Sequence, residues 1–150
     1  MKTLFQPESV EEVTARLLQL KPDSPRLWGA MNAAQMVEHC SRGLELATGD
    51  RRPPRLLIGR IIGRIIKPLA LGNDRPIRKN APTDPALIVT DERDLQAEVH
   101  RLSGLIDKFA AAGPDGCTTH PHSFFGPLTP QEWGILMYKH IDHHLRQFGV

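Results

Sequence analysis

The sequence predicts an all-α fold, and three observations carry that prediction. Apolar residues recur at helical rather than alternating spacing, capping signatures precede several of these stretches, and Pro- or Gly-bearing segments separate them. At 150 residues the chain fits one domain, 1–150, and can bury a core. No stretch nears the roughly 18 uninterrupted apolar residues of a spanning helix, so no membrane span is expected. Cys40 and Cys117 are too few for a disulfide framework, and Glu8 arrives where a signal peptide would need its apolar run. The cytoplasm is the expected compartment.

Ser9-Val10-Glu11-Glu12 reads as a capping box that opens a first helix to about Leu20, burying Val13, Leu17 and Leu20. Pro22 and Pro25 break it. Asn32-Ala33-Ala34-Gln35 is a second cap, for a helix through Ala47 that stops at Gly49. Pro53-Pro54 precede a third helix, about Arg55 to Lys67, which Pro68 should end. Gly59 and Gly63 within it cost about 1 kcal/mol each relative to Ala, so the close approach of another backbone is expected there. Residues 71–89 hold three prolines and read as a long ordered connection. Asp91, or Thr90 before it, caps a fourth helix running to about Ala112. After a loop at 113–128, Thr129-Pro130-Gln131-Glu132 supplies a cap, a Pro at the first helical position and a Glu at the third. The final helix runs to about Gln147. Four substantial helices and a shorter one, with no internal repeat, give a helical bundle.

The charge of +2 is unevenly spread. Residues 51–80 carry nine Lys or Arg against Asp74 alone, which is +8 there and −6 elsewhere. Because these cations are interleaved with core-type residues, the segment reads as a solvated helix face, with an anionic partner as the other reading. Nucleic-acid binding is not expected, since interleaved aromatics and known reading motifs are lacking.

Projected at 100° per residue, the last helix places Trp133, Leu136, Met137, His140 and His144 on one apolar stripe, with His143 at its edge. Asp142 and Arg146 should face solvent. Two core-facing imidazoles need partners for their ring nitrogens, from backbone, water or a shared metal ion. His39 on the second helix, near Met36, Gly43 and Leu46, can look into the bundle from the side. Cys40 beside it reads as a small buried hydrophobe. Three histidines from two helices fit an open metal site with a fourth position for water. The zincin motif is absent, since Ile141 stands where its Glu would follow the first His. His120 and His122 could line the mouth of such a site, but a Pro-rich loop more often holds surface residues. Phe124 and Phe125 should plug the end of the core.

The run His140-Ile141-Asp142-His143-His144-Leu145-Arg146-Gln147 resembles the His-x-x-His-His-x-x-Gln signature of the DinB/YfiT-like superfamily of metalloenzymes. Trp28-Gly29-Ala30-Met31-Asn32-Ala33-Ala34-Gln35-Met36-Val37-Glu38-His39 is similar to that superfamily's helix leading to its first His. With His120-Pro121-His122-Ser123-Phe124-Phe125-Gly126 and Thr129 to Trp133, the likeness spans nearly the whole chain and points to an uncharacterised branch. The resemblance implies a DinB-like four-helix bundle of up-down-down-up type with a three-His site at one end. Carried over residue by residue, the ligands of one divalent ion would be His39, His140 and His144. Three imidazoles suit several metals; zinc or nickel is expected.

Characterised relatives include metal-dependent hydrolases and thiol-dependent transferases or isomerases. The leading expectation is therefore a hydrolase acting on a small electrophilic substrate in a pocket between the second and last helices, with His143 as a base beside the metal. A thiol transferase is the alternative. A non-catalytic binding or stress-response protein with a structural metal is another, in which residues 51–80 face anionic partners. A homodimer is compatible with all three.

Overall fold

The computed structural model describes residues 1–150, all helix and connection with no strand. Gln6 is the N-cap of α1 (Pro7–Leu17), because Pro7 is pre-set for the first helical position and has no N–H to lose. The expected capping box at Ser9 is therefore displaced. Ser9 lies buried inside the first turn, and Glu12 instead pairs with Lys2 and accepts from the Tyr138 hydroxyl. α1 also stops three residues before Leu20. In α2 (Ala33–Thr48) the Asn32–Gln35 capping box forms in both directions, and Gly49 closes the helix with φ +83°.

α3 (Leu57–Leu71) runs through Pro68 rather than ending before it. Pro68 is exposed, so the Arg64 carbonyl it leaves unpaired faces water, and one more turn forms before Gly72. α4 (Leu95–Ala112) starts later than expected. Asp94, not Asp91 or Thr90, accepts from the Ala97 N–H at 2.8 Å, while Asp91 pairs with Arg93. α5 (Pro130–Gln147) begins as expected, with Thr129 accepting from Glu132 N–H and Glu132 accepting from Thr129 N–H. Thr129→Ala should therefore lower stability by about 1 kcal/mol, read from the denaturation midpoint.

Contacts fix the helix directions. Phe5 stacks on Phe109 near the end of α4 and Leu4 N–H donates to Gly134 near the start of α5, while Arg16 meets Asp142 further along α5. α1 is thus parallel to α5 and antiparallel to α4. Glu38 meets Arg93 and Arg101, and Glu45 meets Arg101, so α2 runs parallel to α4; His39 against His144 and Gly43 against His140 make it antiparallel to α5. The result is an up-down-down-up bundle of α1, α2, α4 and α5. Its parallel α2–α4 pair requires the chain to return along the bundle between them. Residues 49–94, with α3 and a 3₁₀ turn at Pro85–Leu87, make that return.

One core cluster joins α1, α2, α4 and α5, with Trp133, Phe109, Met36, Leu102 and Ile141 among its fully buried side chains. Cys40 belongs to it, and burial pushes its thiol pKa up. Asp142 departs from expectation: α1 covers it, and its carboxylate takes Arg16 and Arg146, each at 2.8 Å. Arg146 does reach solvent. α3 departs too. Its inward face is only Gly59, Gly63 and Leu71 with partly covered neighbours, and Leu57, Ile58, Ile61, Ile65 and Leu69 are exposed rather than core.

The loop before α5 is held against this inward face. A Cβ on Gly59 or Gly63 would lie 2.5 or 2.1 Å from the Phe124 carbonyl oxygen, so the expected backbone approach occurs here. His122 and Gly126 exchange backbone hydrogen bonds, which closes the loop. Phe125 packs on the core edge.

Candidate metal centre

Two helices and one loop carbonyl build the site. The one-turn spacing of His140 and His144 stacks both imidazoles on one side of α5, and α2 brings His39 across from them. The three rings form a nearly equilateral cluster, with centroids 4.8 Å (His39–His140), 4.6 Å (His39–His144) and 4.8 Å (His140–His144) apart. One donor nitrogen from each lies within 4.8 Å of the others, so the cluster could hold a metal ion.

Hydrogen bonds outside the cluster decide which nitrogens face inward. His39 Nδ1 is 2.8 Å from the Leu87 carbonyl, which can only accept, so Nδ1 carries the proton and Nε2 presents a lone pair. Gln147 donates its amide to Trp28 O at 2.6 Å, which leaves its Oε1 to accept from His144 Nδ1 at 2.8 Å. His144 Nε2 therefore also presents a lone pair. His140 Nε2 lies 2.8 Å from His39 Nε2, and His140 Nδ1 is buried with no partner. Gly43 fixes this third ring by contact: a Cβ there would sit 2.8 Å from His140 Cε1 and 2.9 Å from Nδ1.

Proton accounting shows how well the donor set fits a cation. With His39 and His144 both oriented as acceptors, His140 Nε2–H can satisfy His39 Nε2 alone, and His144 Nε2 receives nothing. Of the cluster nitrogens, His140 Nδ1 is the one both buried and unpaired, at a cost of about 1–3 kcal/mol. A divalent ion would accept all three lone pairs at once, and bonds of about 2.0–2.1 Å in tetrahedral geometry would space the nitrogens about 3.3 Å apart, between the 2.8 Å of the His39–His140 pair and the 4.8 Å within which all three lie. The outer hydrogen bonds to Leu87 O and Gln147 are the kind that hold metal-binding imidazoles in one tautomer.

Burial depresses all three pKa values: that of His39 is lowered, that of His140 falls well below the usual range, and that of His144 drops to about 3. The imidazoles are therefore neutral at pH 7, as ligation requires. No carboxylate enters the cluster. Glu38, next to His39, is turned away into ion pairs with Arg42 and Arg101.

His143 stands beside the trio. Its ring packs against Trp28 (centroids 5.6 Å) and edge-on to His144 (5.0 Å), and burial lowers its pKa. Lys79 lies 4.4 Å over the other part of this cluster, the Trp28 ring. His120 and His122 belong to the closed loop. His122 Nδ1 accepts from Phe124 and Phe125 N–H, its ring packs on Phe125 and Trp133, and burial pushes its pKa down to about 4. It is thus less exposed than a Pro-rich loop suggests. His120 N–H is held by Thr118, and its ring nitrogen reaches Pro53 O at 3.4 Å.

Three contributors were not assigned a site role from sequence: Gly43, Gln147 and Leu87. Gln147 lies one turn after His144, and that spacing is the local signal for its role. Leu87 acts through its carbonyl, which no residue type announces. Two surface clefts, of about 510 and 450 Å³, lie elsewhere, the first beside Lys2, Tyr138 and Lys139 and the second beside Phe5, Val10 and Asp107. Neither is lined by the three histidines.

The profile of one family, described as "Protein of unknown function (DUF1569)", matches residues 2–149, and the chain belongs to that family. No curated protein and no solved structure matches it.

Proposed function

We propose that this DUF1569 protein is a metal-dependent enzyme of the DinB/YfiT-like superfamily, with His39, His140 and His144 holding one zinc or nickel ion. The observation that carries the proposal is the convergence of three imidazoles, two of them locked with lone pairs inward by Leu87 O and Gln147. A divalent ion there supplies Lewis acidity and brings the pKa of a water towards 7. Three neutral ligands leave its charge uncompensated, which favours a substrate carrying a carbonyl or an anionic group.

The chain's own residues do the positioning. Leu87 O and the Trp28–Gln147 relay keep protons on the outward nitrogens of His39 and His144. Gly43 leaves room for His140 and no freedom to swing towards α2. To His143 we assign the taking of a proton from a substrate or nucleophile, a role supported by its ring packing beside His144 and Trp28. Hydrolysis of a small electrophilic substrate is the reaction proposed, in the cytoplasm, a compartment supported by two free cysteines. Transfer of a thiol is the second reading, supported by the same neutral donor set.

A panel of esters, amides, lactones and thiol–acceptor pairs tests this. Turnover that a chelator abolishes and zinc or nickel restores is expected, with loss in His143→Gln at unchanged metal content. Absence of metal-restored turnover across the panel would leave the site a structural one.

A further inference from the structure

The feature left unused by the metal centre is the outer face of α3. Leu57, Ile61, Ile65 and Leu69 recur every four residues along it and are 77, 77, 66 and 66 % exposed, with Ile58 beside them. Such a stripe is large for a free surface and calls for a partner. Its neighbours say which kind. Arg60 and Arg64 form a parallel row one position away, both exposed and both without an ion pair, whereas Lys67 further along α3, and Arg51 and Arg93 outside it, each have an acid. No acid occurs between Arg51 and Asn73.

We infer that α3 is an interfacial helix that lays this stripe into an anionic lipid surface, with Arg60 and Arg64 at the headgroups. An amphipathic helix lying in the bilayer plane needs an apolar face, flanking cations and no acid near the contact, and α3 has all three. At about 1.5 Å per residue it is about 22 Å long, and no helix of the chain is long and apolar enough to cross a membrane. The attachment is therefore peripheral. Its inward side is already committed to the Phe124 backbone, which leaves the apolar stripe outward.

A second copy of the chain fits less well. Laying one stripe on another about a two-fold axis brings four arginines together with no acid on either helix to offset them. A nucleic acid would match the charge but leave the isoleucines in water. The surface takes no part in the histidine cluster, so the inference stands apart from the metal reading.

Vesicle flotation of the full-length protein tests it, using phosphatidylcholine vesicles with and without about 30 % phosphatidylserine. Binding to the anionic vesicles is expected, about ten-fold or more weaker on neutral ones and in about 0.5 M salt. Ile61→Ser with Ile65→Ser should remove binding, and Arg60→Glu with Arg64→Glu should weaken it about ten-fold or more. All four side chains point outward, so circular dichroism should not change. No binding to anionic vesicles, or binding that neither pair alters, overturns the inference. So does a dimer in sedimentation velocity that Ile61→Ser with Ile65→Ser converts to monomer without any vesicle binding, since the stripe then belongs to a second copy.

Discussion

His39→Ala, His140→Ala and His144→Ala are each expected to lose most of the bound metal while keeping their helical circular dichroism. Removing one of three ligands leaves a two-imidazole site, and Glu38 beside His39 cannot replace the lost bond because arginines already hold it. The fold should survive, since α2 and α5 are also joined through the apolar core that includes Met36, Val37, Met137 and Ile141. Elemental analysis should find the ion at well under a fifth of its wild-type level, in line with the dominance of direct ligands over outer partners, which cost about 10–100-fold in affinity. Gln147→Leu should fall in that smaller range. Equal loading in all three alanine variants would remove the site, and loss in His143→Ala but not His144→Ala would move it by one residue.

Gly63→Val should release α3 from the bundle. The new Cβ would lie 2.1 Å from the Phe124 carbonyl oxygen, a backbone atom in a loop closed by the His122–Gly126 pair, so neither side can yield by a rotamer change. Overpacking of this kind costs about 1–3 kcal/mol, and the better helix propensity of Val over Gly returns only a few tenths. α3 buries little besides Gly59, Gly63 and Leu71, so undocking is the cheaper response. Hydrogen exchange should then accelerate over Leu57–Leu71 and the Phe124 loop and stay slow in α2 and α5. Unchanged protection in α3 would mean that the loop shifts instead.

These substitutions divide the molecule into what local sequence announces and what it does not. The start of α5 is written in Thr129 and Glu132, which cap each other reciprocally, and in Pro130 at the first helical position. The same is true of Asn32, Gln35 and Gly49 around α2. Other boundaries were contests between equivalent local signals. Ser9 offers a cap to α1, but Pro7 starts the helix before it, with Gln6 at the N-cap position and no side-chain cap bond; Asp91 and Asp94 compete for α4, and the ion pair with Arg93 takes Asp91 away.

The remaining differences are tertiary. Asp142 projects away from the histidine stripe, and only the packing of α1 against α5 turns that direction into a buried pocket for Arg16. The apolar residues of α3 wrap much of its surface, so periodicity alone cannot say which side meets the bundle; the two glycines do, by admitting Phe124. Within the candidate metal centre the three histidines were legible as residue types on faces. The Leu87 carbonyl, which holds one of them, depends on how a return loop of more than forty residues lands on α2.

One cation is expected among His39, His140 and His144. X-ray absorption at the metal edge, on untagged protein with its metal content measured in the same sample, tests it most directly. About one zinc or nickel ion per chain is expected, with three nitrogen neighbours showing imidazole scattering at about 2.0–2.1 Å and no sulfur. Metal-free protein that fails to take up added zinc or nickel, or a shell containing Cys40 or Cys117 sulfur at about 2.3 Å, would contradict it.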